Sequence, residues 1–265
     1  MSEPNLVAIV TGASRGVGRG IAIALGEHGA TVYIVGRTAR DDTPRSTGEA
    51  ILPGTIHHAA AAVTAAGGRG IPVVCDMADD DQIVALLQRV QNESGRLDIL
   101  VNNAGATWGA PAEDYPAEGW MKVMNLNVNA SFFLTQTVGK RCMIPRKTGK
   151  VINIASIAGL SGNPEGMQTI AYNTSKGAMV NFTRALASEW GRYNINVNAL
   201  CPGFFPSKMS QGLLEAQGES MLQRIPLNRF GGEEDLKGAA VLMASEAGRH
   251  ITGQCLAVDG GTLVA

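Results

Sequence analysis

The alternation of short apolar runs with amphipathic stretches constrains the fold of this 265-residue chain most strongly. The first apolar run, LVAIVTG at 6–12, is followed by a stretch at 16–29 whose apolar residues recur at helical spacing. The same two patterns return along the chain, and continuous apolar runs are typical of strands buried on both faces. This regular alternation predicts an α/β protein with a doubly wound parallel sheet of about seven strands and helices on both faces.

No linker, repeat or change in composition divides the sequence, so we expect a single domain spanning residues 1–265. The least regular segment is 38–56, which carries two prolines, two glycines and mixed charge. Such a composition predicts a surface loop, inserted after the second strand.

Composition excludes several classes of function. The net charge of −1 leaves no electrostatic footprint for nucleic acid or an anionic membrane. The longest apolar runs have strand length, well short of the roughly 20 residues that span a bilayer, and no basic region precedes the first of them. The four cysteines, Cys75, Cys142, Cys201 and Cys255, have neither metal-ligand nor disulfide-framework spacing. We therefore expect a cytoplasmic protein with reduced thiols and no metal.

A glycine-rich turn, TGASRGVG at 11–18, lies between the first predicted strand and the first predicted helix. Gly12, Gly16 and Gly18 permit positive φ angles and a close approach to the backbone. The start of the helix offers N–H groups and the positive end of its dipole, both of which suit a pyrophosphate. The setting predicts a dinucleotide site.

The end of the second strand indicates which dinucleotide is bound. Enzymes that use NAD commonly place an acid there to bind a ribose hydroxyl, whereas this chain has Gly36 followed by Arg37. Arg37, helped by Arg15 of the glycine-rich turn, could bind a 2′-phosphate with paired hydrogen bonds. We predict NADP(H) in preference to NAD(H). Asp76, after the third strand, is placed to meet the adenine edge.

Tyr172 and Lys176 are four positions apart in a stretch with helical character. Residues i and i+4 share a helix face, so the phenol and the ammonium should be neighbours. The pair is either an ordinary helix-surface contact or a device that lowers the pKa of the tyrosine, because a nearby cation favours the phenolate.

Taken together, these motifs resemble the short-chain dehydrogenase/reductase family over nearly the whole chain. The resemblance rests on the glycines of 11–18, Asp76, NNAG at 102–105, the asparagine in MNLNV, Ser156, Tyr172 with Lys176, PG at 202–203 and the terminal DGG. The segments NNAGATWGAP and PGFFPSKMS are similar to those of the bacterial 3-oxoacyl-thioester reductase branch. The resemblance implies a Rossmann fold and a homo-oligomer, either a dimer or a tetramer.

The resemblance also implies catalytic roles for four residues. Tyr172 would exchange a proton with the carbonyl or alcohol oxygen, and Lys176 would lower its pKa and hold the nicotinamide ribose. Ser156 would hydrogen-bond the substrate oxygen, and Asn127 would anchor a water that links Lys176 to solvent. The cofactor contacts that it implies are Gly12, Ser14, Arg15, Gly16, Val17, Gly18, Arg37, Asp76, Met77, Asn103, Ala104, Gly105, Tyr172, Lys176, Pro202, Gly203, Phe204 and Ser207.

The substrate pocket expected from the resemblance is mostly apolar, with a lid at about 204–225. This favours a hydrophobic ketone or secondary alcohol, such as a 3-oxoacyl thioester, a steroid or a cyclic or aromatic ketone. A catalytically silent nucleotide-binding sensor or scaffold and an NAD-dependent polyol dehydrogenase are the alternatives. The predicted pocket residues are Trp108, Ala158, Leu160, Gln168, Phe205, Met209 and Leu213.

The chain departs from the family pattern between two of the catalytic residues. Ser156 and Tyr172 are sixteen positions apart, a few more than is most common in the family. The extra residues lie within GNPEGMQTI, and we expect them to bulge at the rim of the pocket.

Overall fold

A computed structural model describes residues 6–39, 54–164, 166–206 and 218–265 of the chain. In this part of the chain, seven strands form one sheet in which all neighbours are parallel. The strands are β1 (Val7–Thr11), β2 (Thr31–Gly36), β3 (Arg69–Val74), β4 (Ile99–Asn102), β5 (Gly149–Ile154), β6 (Ile195–Pro202) and β7 (Cys255–Val258). Their order across the sheet is β3-β2-β1-β4-β5-β6-β7.

Helices cover both faces of the sheet. The α-helices are α1 (Gly16–Glu27), α2 (Ile56–Ala65), α3 (Asp80–Ser94), α4 (Ala117–Met124), α5 (Ala130–Val138), α6 (Ile170–Trp190) and α7 (Lys237–Ala244). Apolar residues of α1, α2 and α7 pack in one core cluster, and those of α3, α5 and α6 pack in the other.

The strand sequences explain why two cores form. Successive side chains of a strand point to opposite faces. In β1, Ile9 therefore joins the cluster under α3, while Ala8 and Val10 join the cluster under α1. All five residues of β1 are buried, as expected for a strand covered on both faces. The prediction of a doubly wound parallel sheet of seven strands is confirmed.

The stretch WMKVMNLNVNASFFLTQTVGKRC at 120–142 predicts one long helix before β5, and the observed helical segment differs from it. The observed segment begins at Ala117, earlier than expected, and α4 and α5 are joined by a π-helical turn, Asn125–Asn129. A second π-helical turn, Gly139–Met143, follows α5. Turns of this kind are rare and are often found beside functional sites.

Two predicted loops fall partly outside the described residues. In the predicted insertion at 38–56, residues 40–53 lie outside them, and its last residue already begins α2, where Thr55 caps the helix by accepting from the His58 N–H. In the predicted lid at 204–225, residues 207–217 lie outside them, and 218–222 is helical.

The sheet topology fixes where a ligand can bind. The chain runs outward from β1 to β3 and then returns to place β4 beside β1. Ligands of open α/β sheets bind at the carboxyl ends of the strands beside such a reversal. In the described residues, no helix is long and apolar enough to cross a membrane.

Candidate active site

A cleft of about 1460 Å³ lies at the carboxyl ends of the strands. It runs from the turn after β1, past the ends of β2 and β4, to the segments after β5 and β6. Seventeen of the eighteen predicted cofactor contacts line this one cleft, and the eighteenth, Ser207, lies outside the described residues.

The glycine-rich turn makes the floor of the cofactor end. Gly12 and Gly16 have φ angles of +63° and +53°, a backbone conformation that side chains disfavour. Among the described residues, nothing lies within 4 Å of the position that a Cβ would take at Gly16, so this side of the turn is open toward the cleft. The backbone and the start of α1 therefore fit a pyrophosphate.

The NNAG segment, residues 102–105, forms hydrogen bonds and close contacts with the glycine-rich turn. The Asn103 side chain donates to the carbonyl oxygens of Thr11 and Gly12 at 2.8 and 3.1 Å. A Cβ at Gly18 would collide with the same amide, and one at Gly12 would lie 2.8 Å from the Ala104 Cα. Asn103 thus lines the cleft, and its side chain fixes the shape of the glycine-rich turn.

Two arginines lie at the adenosine end of the cleft. The Arg15 guanidinium donates to the Thr38 hydroxyl at 3.0 Å, and Arg37 forms an ion pair with Asp76 at 3.6 Å. Both arginines line the cleft where β2 ends at Gly36. The end of β2 carries no acid, so it does not repel a ribose phosphate.

Ser156 and Tyr172 meet at the other end of the cleft. Ser156 follows β5 and caps a short 3₁₀ turn by accepting from the Ala158 N–H at 3.1 Å. Tyr172 lies in the first turn of α6, and its hydroxyl is hydrogen-bonded to the Ser156 side chain. Two hydroxyl groups thus converge on one point of the cleft.

The buried position of Tyr172 changes its acidity. Its pKa is raised above the ordinary value because burial disfavours the phenolate, and the hydrogen bond with Ser156 only partly offsets this. The Lys176 ammonium lies 5.5 Å from the centre of the tyrosine ring and donates to the Ile154 carbonyl at 2.6 Å. Burial also lowers the pKa of Lys176 to about 8. The pKa of Tyr172 is therefore raised overall by burial, and the lowering of this pKa by Lys176 stays a prediction.

Asn127 does not line the cleft. Its side chain donates to the Ala106 carbonyl and to the Ser175 hydroxyl, at 3.0 and 2.9 Å, and accepts from the Ala106 N–H at 2.7 Å. Ser175 in turn donates to the Tyr172 carbonyl at 2.7 Å. Asn127 thus joins the segment after NNAG to the helix that carries Tyr172.

Comparison with known proteins identifies the chain. The family described as Enoyl-(Acyl carrier protein) reductase matches residues 12–262. A 2-dehydro-3-deoxy-D-gluconate 5-dehydrogenase of Dickeya dadantii is 39% identical over 259 residues, which cover 97% of this chain and 95% of the relative. This chain is a short-chain dehydrogenase/reductase. The relatives are named as dehydrogenases and reductases, and this chain is an NAD(P)-dependent oxidoreductase of the family.

Two further short-chain dehydrogenase/reductases show how wide the range of relatives is. A rhamnolipid-biosynthesis 3-oxoacyl-(acyl-carrier-protein) reductase of Pseudomonas aeruginosa is 38% identical over 264 residues, or 96% of this chain and 95% of the relative. The solved structure of a gluconate 5-dehydrogenase described as putative, from Beutenbergia cavernae with bound NADP, is 34% identical with a TM-score of 0.87. The aligned region covers 100% of this chain and 99% of the solved chain. The predicted resemblance to the oxoacyl reductase branch is confirmed, and sugar-acid dehydrogenases are equally similar.

The substrate end of this dehydrogenase/reductase differs in part from the prediction. Ala158, Gln168 and Phe205 line the cleft. Trp108 does not, because its ring packs over Gly119 of α4, where a Cβ would lie 2.8 Å away. Leu160 does not line it either and is 39% exposed. The remaining predicted pocket residues, Met209 and Leu213, lie outside the described residues.

Several polar residues that the sequence did not single out also line the substrate end. A signal for Asn163 and Thr169 was present in the sequence, because the extra residues within GNPEGMQTI were expected at the rim of the pocket. The polar lining residues are Ser161, Asn163, Thr169, Gln223 and Arg224. In the described residues, no group of three or more His, Cys, Asp or Glu side chains could hold a metal ion.

Proposed function

We propose that this protein is an NADP(H)-dependent oxidoreductase that interconverts a ketone and a secondary alcohol. The observation that carries the proposal is that one cleft joins the glycine-rich turn to the Ser156–Tyr172 pair. A cofactor bound along the turn would point its nicotinamide end at these two hydroxyls. NADP(H) supplies the hydride, and the protein supplies orientation and the proton.

NADP(H) is the cofactor that the adenosine end fits. Arg15, Arg37 and the Thr38 hydroxyl surround the position where a ribose phosphate would lie beyond β2. Arg37 now pairs with Asp76 at 3.6 Å, and a phosphate dianion is a stronger partner for a guanidinium. The solved relative from Beutenbergia cavernae contains NADP, which supports the same cofactor here.

Ser156 and Tyr172 have different roles at the substrate oxygen. The Ser156 hydroxyl donates a hydrogen bond to the carbonyl oxygen, which stabilises charge as it develops there. Tyr172 donates its proton to the same oxygen during ketone reduction. Its raised pKa keeps the phenol protonated at neutral pH, the form that reduction requires. Lys176, held at the Ile154 carbonyl, supplies a buried positive charge beside the phenolate that forms.

We propose a small keto or hydroxy acid as the substrate, in place of the hydrophobic ketone expected from the sequence. Gln168, Gln223 and Arg224 give the substrate end polar and cationic groups, and a guanidinium recognises a carboxylate. Relatives that act on 2-dehydro-3-deoxy-D-gluconate and on gluconate, 39% and 36% identical to this chain, support this class.

A 3-oxoacyl thioester is the second candidate. Ala158, Met167 and Phe205 supply apolar surface in the same cleft, which an acyl chain could cover. The relative from rhamnolipid biosynthesis, 38% identical, supports this alternative.

The test is a titration of the purified protein with NADPH and NADH, followed by turnover on a panel of substrates. The panel contains a 2-keto-3-deoxy sugar acid, gluconate, a 3-oxoacyl thioester, a steroid ketone and a neutral polyol. Tight NADPH binding with turnover of a sugar acid is the expected result. Turnover of the thioester alone would replace the first candidate by the second. Binding without any turnover would favour a nucleotide-binding sensor and would contradict the proposal.

We also propose that the protein is a homo-oligomer. Apolar side chains on α4, α5 and α6 are unusually exposed for a single chain: Met121, Phe132, Phe133 and Ile170 are each 40–53% exposed. Contiguous exposed apolar surface is typical of interfaces between subunits. Light scattering at micromolar concentration should give the mass of a dimer or tetramer, and the mass of one chain would contradict this proposal.

A further inference from the structure

One wall of the substrate end is formed by residues 157–164 and 166–169, which we call the inserted wall. Ser161, Asn163, Met167 and Gln168 of this wall line the cleft. Within this wall, the Met167 N–H donates to the Pro164 carbonyl at 3.2 Å. Gly166, just before Met167, has a φ of +81°, a conformation that favours glycine.

A closed ring of side-chain hydrogen bonds holds the inserted wall against α6. The Asn163 amide nitrogen donates to the Thr169 hydroxyl at 3.0 Å, and this hydroxyl donates to the Asn173 amide oxygen at 3.0 Å. The Asn173 amide nitrogen closes the ring by donating to the Asn163 amide oxygen at 2.8 Å. Two positions of the wall and one position of the helix are therefore joined directly.

The hydrogen bonds of the ring all run in one direction. Each asparagine uses its oxygen as an acceptor and its nitrogen as a donor, so exchanging the two atoms of either amide would break two bonds. Bonds in such a chain polarise one another and strengthen the whole ring. The Asn163 nitrogen also donates to the Met167 carbonyl at 2.8 Å, which extends the ring to another residue of the wall.

Backbone hydrogen bonds connect the inserted wall to two segments that flank the site of Tyr172. Asn173 directly follows Tyr172 in α6, and its backbone N–H donates to the Thr169 carbonyl at 3.0 Å. On the opposite side, the Gln168 carbonyl accepts from the Ala110 N–H at 2.9 Å. The wall is thus held between the helix of Tyr172 and the segment after NNAG, with Gln168 between the two attachments.

We propose that Asn163, Thr169 and Asn173 are positioning residues that hold the inserted wall rigid and thereby make Gln168 a specificity-determining residue. The proposal rests on the proposed function, since it names which part of the substrate is selected. The Gln168 amide both donates and accepts. It therefore selects a substrate with a hydroxyl or carboxylate near the reacting carbon and disfavours one with a plain alkyl group there.

The direct test compares two variants at one position. Thr169→Ser keeps the hydroxyl and therefore the ring, whereas Thr169→Val has nearly the same shape and cannot form it. Asn163→Ala breaks the ring a second way, in case the valine variant does not fold. Asn92→Ala, at an exposed position of α3, is the matched control.

Hydrogen exchange in the inserted wall is the first readout, because it needs no substrate. We expect amides of this wall to exchange at least about tenfold faster in Thr169→Val and Asn163→Ala, since each bond in the ring stabilises by about 1 kcal/mol. Thr169→Ser and Asn92→Ala should exchange as the unaltered protein does. Equal protection in all four variants would overturn the proposal.

The second readout is the change in KM compared with the change in kcat, measured with the keto or hydroxy acid that the substrate panel identifies. Loss of the ring should raise KM about tenfold, leave kcat within about threefold and leave NADPH affinity unchanged. Faster exchange with an unchanged KM would overturn the proposal, because the ring would then serve structure alone. If the unaltered protein reduced no ketone, the proposed function would fail, while hydrogen exchange would still decide whether the ring holds the wall.

Discussion

The two ends of the cleft are built from different parts of the chain. Where the cofactor end fits a pyrophosphate, the glycine-rich turn forms the surface, and the Asn103 side chain fixes that turn with hydrogen bonds of 2.8 and 3.1 Å. At the substrate end, the lining residues include Gln168, Gln223 and Arg224. A backbone surface tolerates almost no substitution, whereas a side-chain surface can change its specificity one residue at a time.

The difference predicts that damage to the glycine-rich turn has the largest effect on cofactor binding. Gly12→Ala would force a side chain into a φ of +63° and place its Cβ 2.8 Å from the Ala104 Cα. We expect NADPH affinity to fall at least tenfold, by roughly 1–2 kcal/mol or more.

Gly95→Ala is the matched control for this change. Gly95 ends α3 with a φ of +67°, and among the described residues nothing lies within 4 Å of the position of its Cβ. This variant should lose about 1 kcal/mol of unfolding free energy and keep its affinity for NADPH. An equal loss of NADPH affinity in both variants, measured by nicotinamide fluorescence, would contradict the role of the turn.

A change in cofactor preference is expected at Arg37, one of the side chains proposed to bind the ribose phosphate. Arg37→Met removes a guanidinium at the end of β2, and a hydrogen bond to a charged group contributes about 1.5–3 kcal/mol. The preference for NADPH over NADH should therefore fall by about 10- to 100-fold. Arg89→Met, which removes an arginine paired with Glu93 on α3, should leave the ratio of the two affinities unchanged. An unaltered ratio in the Arg37 variant would show that another group binds the phosphate.

The smallest effect is expected at the substrate end, where several side chains share the work. Arg224→Met should raise KM for a sugar acid about tenfold, because a carboxylate loses its charged partner. KM for a neutral ketone should stay within about twofold. The same rise in KM for both substrates would mean that Arg224 affects the shape of the cleft and does not recognise the charge of the substrate.

The cofactor end was largely predictable from the sequence, and the substrate end was not. Gly12, Gly16 and Gly18 reveal their role locally, because a tight turn before a helix requires glycine. The apolar run TVYIVG likewise predicts a strand over 31–36, and β2 has the same bounds. Local pattern is sufficient wherever backbone geometry dictates the residue.

The errors come from tertiary structure. Trp108 was expected in the pocket, but its ring packs on α4, and only the fold shows which way it turns. The shared helix face of Tyr172 and Lys176 was apparent from spacing. The burial that raises the pKa of Tyr172 against the effect of its hydrogen bond with Ser156 was not apparent. The ring of Asn163, Thr169 and Asn173 spans ten positions and closes only once the inserted wall folds back on α6.

The most direct test of the account is to compare cofactor binding and turnover in Tyr172→Phe. The variant keeps the ring and loses the hydroxyl that meets Ser156. We predict NADPH affinity within about twofold of the unaltered protein and a fall in kcat of about 10²- to 10⁴-fold, the usual contribution of a general acid. A kcat near that of the unaltered protein would contradict the account, because the proton would then come from another group.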